Sequence, residues 1–204
     1  VSSADYFYFE TRPDAKGPLG IVFGGHEVCE PDFNIRRNAY PYYILELGIR
    51  GVCKLTIDGR EHYLRNSVLA GFGPESPHQY LADGQSGFEH YFIAFTGSQA
   101  QELFEKSTLN ENASVATDKE ILDIFEKIIE HGLEKEQYSQ QICTSYLRVL
   151  LLSLGRCRRT AVRKQSVGMK TYNRCRKYID ENFSGQLSPS QAASANNINV
   201  RYMS

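Results

Sequence analysis

The 204-residue sequence predicts a mainly-β domain, a sandwich or small barrel, followed by helices. Three observations carry that expectation. Residues 20–95 break into short runs rich in β-branched and aromatic residues, with Gly-, Pro- and Ser-rich turns between them. From Thr117 onward the apolar spacing changes to that of a helix. Lys and Arg then crowd into the last part of the chain.

In chain order, "YFYF" (Tyr6 to Phe9) reads equally as an arm over a ligand and as an edge strand. The runs "GIVFGGHEV", "YYILELGIRG", "CKLTIDGREHYL", "VLAGFG", "PHQYLA" and "EHYFIAF" read as the strands of the sandwich. Asp58-Gly59 marks a hairpin, because a type I′ turn needs positive φ at both central residues. "FGPESP" and "ADGQSG" are turns.

"TDKEILDIFEKIIEHG" begins with a capping box, Thr117 with Glu120. Ile121, Ile124, Phe125, Ile128 and Ile129 then make one apolar face that ends near Gly132. A second helix covers about 137–155. In it Cys143, Leu147, Leu150 and Leu154 alternate steps of four and three, the spacing of a helix-pairing seam. Ile142, Tyr146 and Val149 form a second row. Two apolar faces need two partners, so one face is expected on the sandwich and the other in a homodimer.

Residues 1–155 hold 13 Lys+Arg against 22 Asp+Glu, a balance of −9, whereas residues 156–204 hold 10 against 2, a balance of +8. The basic end is expected to face an anionic polymer. Residues 156–169 read as a basic linker. Tyr172, Cys175, Tyr178, Ile179 and Phe183 then line one side of a helix ending at Gly185. Ser188 as N-cap, Pro189 at the first helical position and Gln191 closing the box begin another helix, which reaches about Asn196. Asn196-Asn197 makes a turn and "NVRYMS" starts a third helix. A short helix, a tight turn and a new helix outline a helix-turn-helix.

Other classes fall away. No run approaches the ~18–20 apolar residues of a membrane span, "VLLLSL" being the longest candidate. The N-terminus lacks the basic-then-apolar layout of a signal peptide and an initiator Met, which suggests trimming. Five cysteines, odd in number and without CxxC, predict reduced thiols and a cytoplasmic protein, and their spacing predicts no zinc site.

"YIDENFSGQLSPSQAASANNINVRYMS" resembles the opening of the DNA-binding domain of AraC-family transcription regulators. The stretch from "YYILELGIRG" to "EHYFIAF" resembles that family's ligand-binding, dimerising cupin domain, and "EILDIF" through "YLRVLLLSLGR" its dimerisation helices. The resemblance covers about residues 20–204. It implies a cupin-like jelly-roll domain at 1–97, a helical dimerisation segment at 98–155, the basic linker, and an incomplete helix-turn-helix domain at 170–204. The dimer seam would be Cys143, Leu147, Leu150 and Leu154. Arg201 and Tyr202 would belong to the DNA-contacting helix. The chain stops five residues into that helix, so the 204-residue piece is expected to bind DNA weakly or not at all.

The resemblance also implies a small-molecule effector, a sugar by preference, with no catalysis, no cofactor and no membrane partner. An ungapped match through "YYILEL" to the arabinose-responsive member puts Arg36 at its sugar-binding arginine and Tyr80, His90 and Phe92 at its other pocket positions. Phe92 stands where that member has Trp, and this chain has no Trp. His78 and His26 are further candidates, and the aromatic N-terminus is a candidate arm over the ligand. The rival reading is a metal-dependent cupin isomerase or dioxygenase. The five histidines include no HxH pair, and only His26, His78 and His90 are placed to converge on a metal.

Overall fold

The computed structural model describes residues 1–9, 13–83, 87–182 and 189–199. The chain divides into two compact units, Val1–Arg158 and Arg159–Ser204. The elements in chain order are β1 (Ser3–Tyr8), β2 (Gly20–Cys29), β3 (Asn34–Arg37), β4 (Tyr43–Ile57), β5 (Arg60–Arg65), β6 (Val68–Phe72), β7 (His78–Ala82), β8 (Phe88–Thr96), α1 (Ala100–Lys106), α2 (Leu109–Asn112), β9 (Ser114–Ala116), α3 (Lys119–Glu134), α4 (Ser139–Asn182) and α5 (Pro189–Ala195).

The first unit is mostly β, an open antiparallel sandwich of the cupin-like kind. One layer runs β1-β2-β8-β4-β6-β9, and the other joins β3, β7, β5 and the far half of β4. The sequence divides residues 42–57 into two strands, before and after Gly51. Instead β4 is one fifteen-residue strand that pairs with β8 and β6 in its first half and β5 and β7 in its second. A register shift between Gly48 and Arg50 bends it from one layer into the other. The Asp58-Gly59 hairpin forms as expected, with φ of 48° and 77° and Ile57 opposite Arg60.

Alternation along the strands divides the apolar residues between two cores. On one face, Phe7, Ile21, Leu45, Leu47, Ile93 and Phe95 pack against helical residues including Ile121, Phe125, Ile128, Leu147 and Leu150. On the other, Ile44, Leu55, Leu64, Phe72, Phe88 and Ala94 fill the space between the layers. A sheet covered on both sides needs apolar residues at successive positions, which is why "YYILEL" and "FIAF" read as unbroken runs.

The α3 cap is Asp118 rather than Thr117. Asp118 Oδ1 accepts from the Ile121 backbone N–H at 3.0 Å, while the Thr117 hydroxyl donates to the Ser67 carbonyl at 2.9 Å. The helix also continues past Gly132 to Glu134. A Cβ at Gly132 would come within 2.6 Å of the Phe7 ring, so this glycine permits a close approach rather than ending the helix.

The expected dimer seam is buried in its own chain. Cys143, Leu147 and Leu150 are 0% exposed and Leu154 is 2%, all within the core beneath α3. Over residues 139–156 of α4 the exposed large apolar residues are Ile142 and Val149, from the second row, and Leu152.

Residues 156–169, read as a linker, are helical within α4. No proline interrupts residues 139–182, Arg, Lys and Gln are good helix formers, and Gly155 and Gly168 each cost only about 1 kcal/mol relative to Ala. In the second unit, α5 ends with Asn197 at φ 52°, and the Ile198 N–H returns to the Ala193 carbonyl at 3.1 Å, the Schellman pattern. Arg174 Nη2 donates to the Asn196 carbonyl at 2.6 Å. Phe183, Gly185, Ser188, Arg201, Tyr202 and the body of the expected third helix lie outside the described residues.

Candidate functional site

Between the layers lies a cavity of about 300 Å³, at the small end of the ~300–1,000 Å³ usual for small-molecule sites. Its charged floor is built by strand register. Glu27 on β2 stands directly opposite His90 on β8, and Glu46 on β4 stands opposite Phe92. Tyr80 reaches the same place from β7 in the other layer.

His90 Nδ1 donates to Glu46 Oε2 at 2.6 Å, and its Nε2 donates to Glu27 Oε2 at 3.1 Å. Tyr80 OH donates to Glu46 Oε1 at 2.7 Å, and Tyr6 OH to Glu27 Oε1 at 2.6 Å. Each carboxylate is thus held by one imidazole and one phenol. Burial works against a charge on His90, but the Glu46 charge and the hydrogen bonds to Cys29, Glu27 and Glu46 outweigh it, so its pKa lies well above the ordinary histidine value. Burial likewise pushes Glu27 up. Hydrogen bonds from His90 and Tyr6, with the charges of His90 and Arg37, prevail and hold it below the usual carboxylate range. Burial and then Glu46 push the Tyr80 phenol far up.

Rings form the walls. Tyr6, Tyr8, Phe23, Tyr40 and Phe92 line the cavity, with Phe23 edge-on to Phe92 at 5.6 Å and Tyr8 stacked on Phe23 at the same distance. β1 is an edge strand paired with β2, and its side chains divide: Tyr6 and Tyr8 to the cavity, Phe7 to the helix core. Arg37 also lines the cavity, with its guanidinium carbon 5.3 Å from the centre of the Tyr40 ring.

Of the residues expected from sequence, Tyr80, His90 and Phe92 meet in the cavity. Arg36 does not. Both arginines are exposed on β3, but Ile35 and Arg37 line the cavity and Arg36 does not. His78 is buried beside Phe72 and Tyr40, donates Nδ1–H to the Ser76 carbonyl at 2.9 Å, and does not line the cavity. Burial, the largest influence, lowers its pKa. His26 lies on the outer face of β2, 2.9 Å from Glu89 Oε1. The three histidines offered as a metal set therefore stay apart.

Glu27, Glu46 and Arg37 were not expected. Glu46 had a signal: an acid between Leu45 and Leu47, in a run too apolar to have a wet face, must turn toward a polar partner. A different donor cluster does form, since Glu27, Cys29 and His90 place one ligand atom each within 4.8 Å of one another.

A family model described as the AraC-like ligand binding domain matches residues 20–151, well over half of the chain. No curated protein matches. Among solved structures, the plu4264 protein of Photorhabdus luminescens is 17% identical, with 48% of this chain and 79% of that one covered and a TM-score of 0.37. A cupin 2 conserved barrel domain protein from Salinispora arenicola is 19% identical over 45% and 72%, with a TM-score of 0.35. The YhaK protein of Escherichia coli is 12% identical over 48% and 46%, with a TM-score of 0.41.

Proposed function

Because the chain belongs to the family of AraC-like ligand-binding domains, we propose that its first unit is the effector sensor of a ligand-responsive, DNA-binding transcription regulator. The effector is a small polyhydroxylated molecule, a sugar or sugar acid. Its hydroxyls donate to the free lone pairs of Glu27 and Glu46, Arg37 donates to its oxygens, and its apolar face packs on Phe92. The observation that carries this reading is the engagement of both His90 nitrogens by carboxylates. In the metal-free protein a charged imidazole held at both ends has no lone pair to offer as a general base, but it fixes two acceptors for recognition. A metal-dependent isomerase or dioxygenase built on His26, His78 and His90 is disfavoured by their separation.

The regulator acts as a cytoplasmic homodimer. Its pairing face is the outer row of α4, where Ile142, Ser145, Val149 and Leu152 recur at steps of three and four and are all exposed. That spacing suits a second copy of the same helix. DNA contact belongs to the helix-turn-helix part beginning in residues 170–204.

A thermal-shift screen against sugars and sugar acids tests the sensor, since a ligand that binds only the folded state raises Tm. Arg37→Ala should weaken binding of the best compound by ~1.5–3 kcal/mol, and Arg36→Ala should leave it unchanged. A panel without any stabilising compound, or an Arg37→Ala variant of full affinity, would sink the reading.

A further inference from the structure

We propose that Glu27, Cys29 and His90 form a binding site for a divalent cation of the zinc type, with Glu46 as the positioning residue behind His90. This deepens the sensor reading by giving the same cavity a metal. It is measured without any organic effector, so either idea can fail alone.

The geometry supplies the argument. His90 Nε2 lies 3.1 Å from Glu27 Oε2 and 3.9 Å from Cys29 Sγ, and Cys29 Sγ lies 3.9 Å from the same Glu27 oxygen. The centre of such a triangle is about 2.1 Å from each corner, against the roughly 2.0–2.3 Å of zinc bonds to nitrogen, oxygen and sulfur. Strand register produces this triangle: Glu27 and Cys29 share the inner face of β2, two residues apart, and His90 faces Glu27 across the ladder.

The other His90 nitrogen completes the arrangement. Its bond to Glu46 at 2.6 Å fixes the ring orientation and directs Nε2 at the other two donors. Metal-bound imidazoles characteristically have such a carboxylate behind them. Glu46 is itself held by Tyr80 at 2.7 Å, so the support extends a further step. In the metal-free protein a proton joins His90 to Glu27. On binding, the cation takes that place, and the imidazolium and the Cys29 thiol each release one proton to solvent.

The donor set selects the ion. One imidazole, one carboxylate and one thiolate suit zinc, whereas magnesium and calcium prefer oxygen alone. Three protein donors leave the fourth position open, and Glu27 and His90 also line the cavity, so that position is reached from the cavity side. A hydroxyl or carboxylate of the effector can fill it.

The test uses the full 204-residue chain, untagged and reduced, titrated calorimetrically with Zn²⁺ and spectroscopically with Co²⁺. The expected result is one Zn²⁺ per chain at micromolar affinity or tighter. The Co²⁺ complex should show thiolate-to-cobalt charge transfer and the strong visible bands of four-coordination. Cys29→Ser should abolish the charge-transfer band, and Glu46→Gln should keep the band while weakening Zn²⁺ about 10–100-fold. Circular dichroism checks folding; if Cys29→Ser does not fold, Glu27→Gln replaces it and should weaken Zn²⁺ at least about tenfold with the band retained. Absence of stoichiometric Zn²⁺, or a charge-transfer band that survives Cys29→Ser, overturns the proposal.

Discussion

Strands β2 and β8 carry one histidine–glutamate group on each face. Inside, His90 is held between Glu27 and Glu46, with side chains 4%, 16% and 6% exposed. Outside, His26 meets Glu89 at 2.9 Å and Arg50 Nε lies 3.2 Å from the other Glu89 oxygen, with side chains 26%, 20% and 76% exposed. The distances are nearly the same, but inside one histidine is shared by two carboxylates and outside one carboxylate is shared by His26 and Arg50. The inner group has lost the water that would replace a missing partner, and the outer group keeps much of it, so removal of one histidine should have very different consequences on the two faces. Helix α4 repeats the contrast, with Leu150 at 0% exposure and Leu152, two positions on, at 55%.

The largest effect should come from α4. Leu150→Glu places an unpaired charge in the closed core and should cost about 5 kcal/mol or more, leaving much of the chain unfolded. Leu152→Glu should shift stability by no more than about 0.5 kcal/mol and convert dimers to monomers in sedimentation. Monomers of undiminished stability from Leu150→Glu would reverse the assignment of the two faces.

Next comes the inner histidine. His90→Leu strands Glu46 and Glu27 without their common partner and should lower the unfolding free energy by about 3–5 kcal/mol in urea titrations. His26→Leu should cost only about 0–1 kcal/mol. Equal losses from the two variants would show that burial does not distinguish the faces.

Between these in size is the pH response of the inner group. The folded His90 pKa is raised, so its contribution to stability is complete below its unfolded value of about 6.5 and disappears as pH rises through the higher folded value. The folded Glu27 pKa is lowered, so its contribution is complete above its unfolded value of about 4.5 and disappears as pH falls through the lower folded value. Metal-free protein should therefore show a stability plateau between the two, with loss on both sides, when denaturation midpoints are measured across pH. In His90→Leu the alkaline arm should flatten.

Much of the sandwich was legible because its signals are local. Asp58-Gly59 needs only its own backbone to form a turn, and alternation along "EHYFIAF" puts His90 and Phe92 on one face whatever they pack against. Arg36 failed for a reason of register. Two adjacent arginines on a strand face opposite ways, and without β7 paired alongside, nothing in the sequence says which of them turns inward. The α4 seam failed for a related reason. Its spacing specifies an apolar stripe, but the same stripe serves a subunit's own core as well as a partner's helix, and only tertiary packing separates the two. Glu27 and Cys29 gain their significance from His90, sixty-odd positions away, so no local pattern shows them.

The bent strand β4 has a mechanical consequence. Tyr43 to Gly51 hydrogen-bonds with one layer and Val52 to Ile57 with the other, so neither layer can peel away without tearing the same length of backbone. Amide exchange along β4 should accordingly proceed only through complete opening, with a single protection factor shared from Ile44 to Leu55. The floor of the cavity and the hairpin beyond it are fastened by one thread, and a pull on either end is felt at the other.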